Sequence, residues 1–145
     1  MDARAYWKPI VTHPDVEPMV FAGMATLDDF LGWLEQDDVT EERYEGGGIV
    51  YVDKGDVEEL HIAFLPEFWG RPVVMAVRSS FVEKMRRGTT VILREQEGFF
   101  RTRPPLSHGW KPLEDYEPSI FNHRTRRWIL TPEAWYSSAV GRKMQ

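Results

Sequence analysis

The sequence predicts one α+β domain over residues 1–145, built on a mixed, mostly antiparallel sheet. Three observations predict it. "GGGIVYVDKGDVEELHIAFLP" is hairpin-like, with alternating apolar runs on either side of Asp53-Lys54-Gly55-Asp56. Residues 57–94 pass from strand to helix to strand, which implies one parallel, right-handed crossover. Two further stretches, 26–36 and 72–88, carry apolar residues at helical spacing. The chain has 145 residues, 13% of them aromatic with six Trp, enough for a bulky core without metal or disulfide help.

Taken in order, "AYWKPIVTH" (5–13) supplies a first strand, placed at an edge or bent by Pro9. "THPDVEPMVFAG" then offers Thr12 as a cap and Pro14 in a first turn, with Val16, Met19 and Val20 at helical spacing. In "TLDDFLGWLEQ" Thr26 caps, Asp29 sits three residues on, and Leu27, Phe30, Leu31 and Leu34 line one face. Residues 37–45 are acidic and polar, which predicts a loop. Strands follow at 47–52 and 57–65, the second with Leu60, Ile62 and Phe64 on one face and Glu59, His61, Ala63 and Leu65 on the other. Pro72 fits the first position of the next helix, whose stripe is Val73, Val77, Phe81 and Met85, widened by Val74 and Ala76. Lys84, Arg86 and Arg87 suit its negative end, and Gly88 closes it. "TTVILRE" (89–95) is a β-branched strand and 97–109 a short helix or loop. "WKPLEDY" and "RTRRWILT" are two last strands, and "PEAWYSS" a short helix.

Several chemistries are excluded or disfavoured. With no Cys, disulfides and cysteine zinc sites are ruled out. The four His share no ligand spacing, so no metal site is expected. The net charge of -5 disfavours nucleic acid as a partner. The basic run "NHRTRRW" is instead expected to protect an exposed sheet edge. No apolar run approaches the roughly 18 residues that span a bilayer, and "MDARAYWKP" lacks a signal-peptide core, so a soluble cytoplasmic protein is expected. Ser79-Ser80 lies in a helix without a nucleophile elbow. "GGG" at 46–48 is a strand-entry hinge or bulge rather than a phosphate loop. "SHGW" is a turn, polar at Ser107 and His108 and bent at Gly109.

The element order, with "HIAFLPEFWGR" at its centre, resembles the GNAT-type N-acetyltransferase superfamily. Leu65-Pro66-Glu67-Phe68 matches the family's lead-in to its pyrophosphate-binding turn of pattern Arg/Gln-x-x-Gly-x-Gly/Ala. Trp69 stands at the Arg/Gln position, Gly70 and Arg71 are the fillers, and Pro72 and Val74 occupy the two small-residue positions. "HGWKPLEDY" is similar to the Gly-Phe-Lys stretch that opens the family's penultimate strand. The small "hPDV" helix and altered glycines also resemble GNAT-like proteins of tailed bacteriophages. The implied architecture is a GNAT-like, twisted sheet with helices on both faces and a splayed strand end above Gly70.

The resemblance also implies a site. Acetyl-CoA would lie along Phe64, Leu65, Trp69, Gly70, Arg71, Val73 and Val74, its pyrophosphate on backbone N–H groups at a helix start. Glu59 or His61 would take the proton of an acceptor amine, and Tyr116 would be the acid, although the family's usual acid position lies nearer 98–104, where Phe99 and Phe100 stand. Pro72 has no N–H to give and Val74 adds bulk, so the turn is degenerate. Two functions therefore stay open. One is an acyl-CoA-dependent N-acyltransferase acting on an amine-bearing acceptor. The other is a non-catalytic module that binds a protein partner or its own copy, in phage assembly, on the virion or in host interaction. In "WILTPEAWYSS", Trp128 and Trp135 would anchor such an interface or complete the core.

Overall fold

The computed structural model describes residues 1–21, 25–96, 104–115, 117–118 and 124–144. Among these residues, seven strands form a sheet: β1 (Val39–Tyr44), β2 (Gly47–Asp53), β3 (Glu58–Phe64), β4 (Val91–Gln96), β5 (Lys111–Pro112), β6 (Glu117–Pro118) and β7 (Arg124–Leu130). Six α-helices among the described residues accompany them: α1 (Ala3–Val11), α2 (Glu17–Phe21), α3 (Leu27–Leu34), α4 (Arg71–Arg86), α5 (Pro132–Ser137) and α6 (Ala139–Lys143). Strand order is β1-β2-β3-β4-β7-β5, with β6 also on β7. β3 and β4 run parallel, whereas β7 is antiparallel to β4, β5 and β6. The α+β class, the mostly antiparallel sheet and the parallel crossover are thus as the sequence predicts. The chain falls into two compact units: Met1–Val52 with His61–Val77, and Asp53–Leu60 with Arg78–Gln145.

In the first unit, the expected opening strand is a helix. Asp2 caps α1 by accepting from the Ala5 N–H at 2.7 Å, and Ala3, Tyr6, Trp7, Ile10 and Val11 follow helical spacing. Pro9 costs one backbone bond, but burial of Trp7, Ile10 and Val11 outweighs it. Thr12 ends this helix, donating its N–H to Lys8 O, rather than starting the next. α3 has the predicted capping box between Thr26 and Asp29. Trp7, Phe21 and Phe30 then meet edge-on at 5.5 to 5.9 Å, packed with Val39, Val50 and Val52.

Residues 39–44 are a strand, not part of a loop. β1 sits at the sheet edge, where its charged residues meet water, and it pairs with β2 from Val39↔Val52 to Tyr44↔Gly47. β2 is buried on both faces, from Gly47 to Val52. The glycines at its start, with Gly46 just before it, make room for rings. A Cβ on Gly48 would collide with the Trp7 indole, one on Gly47 with Phe64, and one on Gly46 with the Phe68 ring.

In the second unit, α4 buries Phe81 and Met85, and Gly88 (φ 79) closes it. Lys84 Nζ meets Glu58 Oε1 at 2.8 Å. Trp110 and Trp135 pack on Phe81, and Trp128 is also buried, so Trp128 and Trp135 complete the core. Glu95 is buried, its Oε1 accepting from Arg126 Nε and Trp128 Nε1 at 2.8 Å each, with the Arg126 guanidinium over the Trp128 ring. β7 lies between β4 and β5, so "RTRRW" does not guard an edge: Arg126 pairs across to Glu95 of β4, and Arg127 to Glu114. Within "WKPLEDY" the described strand is the two residues of β5, with Leu113 and Glu114 in a bend, and Tyr116 lies outside the described residues. Ser138 caps the additional α6 by accepting from the Gly141 N–H. Val74, expected to widen the apolar stripe of α4, lies at 36% exposure, and Ile62 at 37%, so neither belongs to the core.

Gly32 and Gly48 should respond oppositely to alanine. Nothing lies within 4 Å of a Cβ at Gly32, so Gly32→Ala should stabilise by roughly 0.5–1 kcal/mol through helix propensity. Gly48→Ala should destabilise by about 1–3 kcal/mol, because Trp7 must move. Urea denaturation midpoints test both, and equal midpoints would contradict the packing described.

Candidate functional site

The turn between β3 and α4 is a built object, held at several points. The Leu65 N–H donates to Gly46 O at 2.8 Å, and the Phe68 ring rests on Gly46. Residues 66–68 make one 3-10 turn, in which Phe68 N–H bonds Leu65 O and Trp69 N–H bonds Pro66 O. Gly70 then adopts φ 101, a conformation that favours glycine, and α4 begins at Arg71. Pro72 is the second helical residue rather than the first. Val74 N–H already bonds Gly70 O at 3.0 Å. Gly70, Arg71 and Val73 thus supply the backbone amides of this helix start, and Pro72 supplies none. The Arg71 side chain is exposed.

Trp69 has an internal task. Its Nε1–H donates to Phe64 O at 2.9 Å. Phe64 C=O and Leu65 N–H are therefore both engaged within the protein, holding the turn to the strand end. The parallel ladder to β4 covers only Glu58↔Val91 and Glu59↔Ile92, with Glu58 N–H on Thr90 O at 2.9 Å. By strand alternation, the Ile62 N–H and C=O point to that same edge of β3, beyond the last rung.

Glu59 and His61 alternate on one face of β3 as expected. Glu59 is half-buried, and exposed His61 meets Trp33 edge-on at 5.0 Å. Tyr116, Phe99 and Phe100 lie outside the described residues. Among the described residues, no group of three or more His, Asp or Glu could hold a metal ion. No helix among them is long and apolar enough to cross a membrane.

His108, expected as a polar turn residue, is buried at 1% exposure. Its ring stands edge-on to Phe81 and Trp135, and Nε2 accepts from Arg78 Nε at 3.3 Å. That bond fixes the neutral ring with its proton on Nδ1. Burial first, and the Arg78 charge second, hold its pKa down at about 4. Gly109 (φ 102) makes the bend that carries the ring inward. Only the neighbouring Gly and Trp hinted at this in the sequence.

The fold has solved counterparts. The ribosomal-protein-S18-alanine N-acetyltransferase from Escherichia coli is similar over 82% of this chain and 89% of its own, with a TM-score of 0.57 and 11% identity. A crystal structure described as that of a candidate acetyltransferase is similar over 99% of this chain and 86% of its own, with a TM-score of 0.62 and 16% identity. At such identities the likeness shows the fold, which is that of the GNAT acetyltransferases. No family model and no curated protein matches the sequence.

The buried imidazole makes stability depend on acid. The unfolded chain takes up this proton near pH 6.5, the folded chain only near 4, so the unfolded state holds more protons between these values. Stability present at neutral pH should fall across that window, by on the order of 2 kcal/mol after screening. Urea midpoints measured from pH 7 to pH 4.5 test it. His108→Gln should be weaker at pH 7 but show a flatter pH dependence, and parallel curves for the two proteins would contradict the assignment.

Proposed function

We propose that the chain is an acyl-CoA-dependent N-acyltransferase with a degenerate pyrophosphate-binding turn. One observation carries the reading: a strand edge left without rungs ends in a glycine-bent turn that opens a helix of 16 residues. Amides at such a helix start, together with its positive end, suit a pyrophosphate. The residues present fit the group in part. Gly70, Arg71 and Val73 would offer N–H groups and Arg71 a guanidinium, while Trp69, Phe64 and Leu65 hold the turn in place.

Acetyl-CoA, when bound, supplies an activated acetyl group. The chain's share is to hold the amine near that carbonyl and to remove its proton, so that direct attack is possible. Glu59 and His61, on one strand face, are the groups proposed for the proton. Tyr116 is proposed as the acid that protonates the departing thiolate.

A second reading is favoured by the turn's own chemistry. Pro72 gives no donor, and the branched Val74 stands at 36% exposure beside Met75 at 48%, an apolar helix start. Such a surface suits a non-catalytic GNAT-like module that binds protein.

Calorimetric titration separates the two. The transferase reading expects acetyl-CoA to bind below millimolar concentration and Arg71→Ala to weaken it about tenfold. No heat at near-millimolar ligand would favour the second reading. Pro72→Gly with Val74→Gly should tighten binding by restoring a donor and space, at a stability cost of about 1 kcal/mol per glycine. A double variant that folds yet ignores acetyl-CoA would remove the turn from any anion-binding role.

A further inference from the structure

Ladder register brings a set of polar side chains onto one face of β4 and β7. Ile92 pairs with Ile129, Arg94 with Arg127 and Gln96 with Thr125, so these side chains share a face. Glu59 pairs with Ile92 in the parallel ladder and points the same way. The opposite face carries buried Glu95 with Arg126 and Trp128, which are mutually satisfied.

The two arginines of the shared face are treated differently. Arg127 is neutralised by Glu114 through two parallel bonds of 3.0 Å, and its own N–H adds a third at 2.9 Å. These bonds hold the Glu114 carboxyl below its usual pKa, chiefly through the Arg127 side chain, and the nearby Arg94 charge adds the smallest share. Arg94 is exposed, and its NH1 donates to the Thr125 hydroxyl at 3.1 Å. Thr125 is buried, so this bond orients the guanidinium. Among the described residues, no carboxylate forms an ion pair with Arg94. A planar, oriented guanidinium with donors to spare matches a carboxylate or a phosphate. Glu59 and Arg94 stand one strand across and two residues along, about 8 Å apart at Cα. Longer side chains can converge from there on one small molecule.

We propose that Arg94 binds an anionic group on the acceptor, which is therefore an amine that also carries a carboxylate or a phosphate. The proposal rests on the transferase reading, with the amine at Glu59 and the anion at Arg94. In a chain of net charge -5, an anionic acceptor needs such a local cation to be held.

The test needs no acetyl-CoA. The backbone amide of Thr125, whose hydroxyl bonds Arg94 and which every variant keeps, is followed by NMR together with the wild-type Arg94 Nε–H, assigned with Arg94→Lys, while two matched pairs are titrated: β-alanine against propylamine, and O-phosphoethanolamine against ethanolamine. At least one anionic member should saturate at a concentration tenfold or more below its partner. Which member does so tells carboxylate from phosphate. Arg94→Gln should abolish the difference, and Glu114→Gln, by releasing Arg127, should tighten the anionic probe. Equal titration of both pairs by the wild-type protein would overturn the proposal, whatever the variants do. So would a difference that survives Arg94→Gln in a folded protein. Acetyl-CoA titrated into the same wild-type sample checks the other premise: discrimination intact without acetyl-CoA binding would overturn the transferase reading alone.

Discussion

The seat of the Phe68 ring on Gly46 determines where β3 ends and where α4 begins. Any side chain at residue 46 would occupy the ring's place, and the positive φ of 79 disfavours one independently. The bond from Leu65 N–H to Gly46 O closes the same clasp. From it the rest of the turn follows. Pro66 opens a 3-10 turn, the Trp69 indole reaches back to Phe64 O, and Gly70 bends the chain into the helix. Each step consumes a backbone or indole group inside the protein. The helix-start amides of Gly70, Arg71 and Val73 take no part in this clasp.

The second unit shows how polar groups are tolerated in an aromatic core. Glu95 is buried with two donors at 2.8 Å, the arrangement that a buried carboxylate requires. His108 is tolerated by the other route, remaining neutral against the Arg78 charge. On the far face of β4, by contrast, Arg94 stays exposed, its guanidinium bonded to the buried Thr125 hydroxyl and its charge left at the surface.

Legibility in the sequence followed the range of the interactions. The capping box at Thr26 and Asp29, the stripe of α4 and the crossover at 57–94 are local or periodic, and each was readable. α1 reads as an edge or bent strand because Pro9 sits inside a short apolar run, whereas the Asp2 cap and the burial of Trp7, Ile10 and Val11 make it a helix. Residues 39–44 read as a loop because an edge strand tolerates charge along its length. The turn was legible from Pro66, Gly70 and Pro72, but not the use of Gly46 beneath Phe68, since those residues meet only through the fold. Arg94 was invisible for the same reason: its place beside Glu59 depends on two ladder registers.

Hydrogen exchange at the Leu65 amide, compared between wild type and Gly46→Ala, tests the clasp most directly. Gly55→Ala is the control, because Gly55 shares a positive φ of 95 but has nothing within 4 Å of its Cβ position. The clasp predicts that Leu65 loses protection by tenfold or more in Gly46→Ala relative to that control. Equal protection at Leu65 in the two variants would contradict it, leaving the turn's position to be set by something other than Gly46.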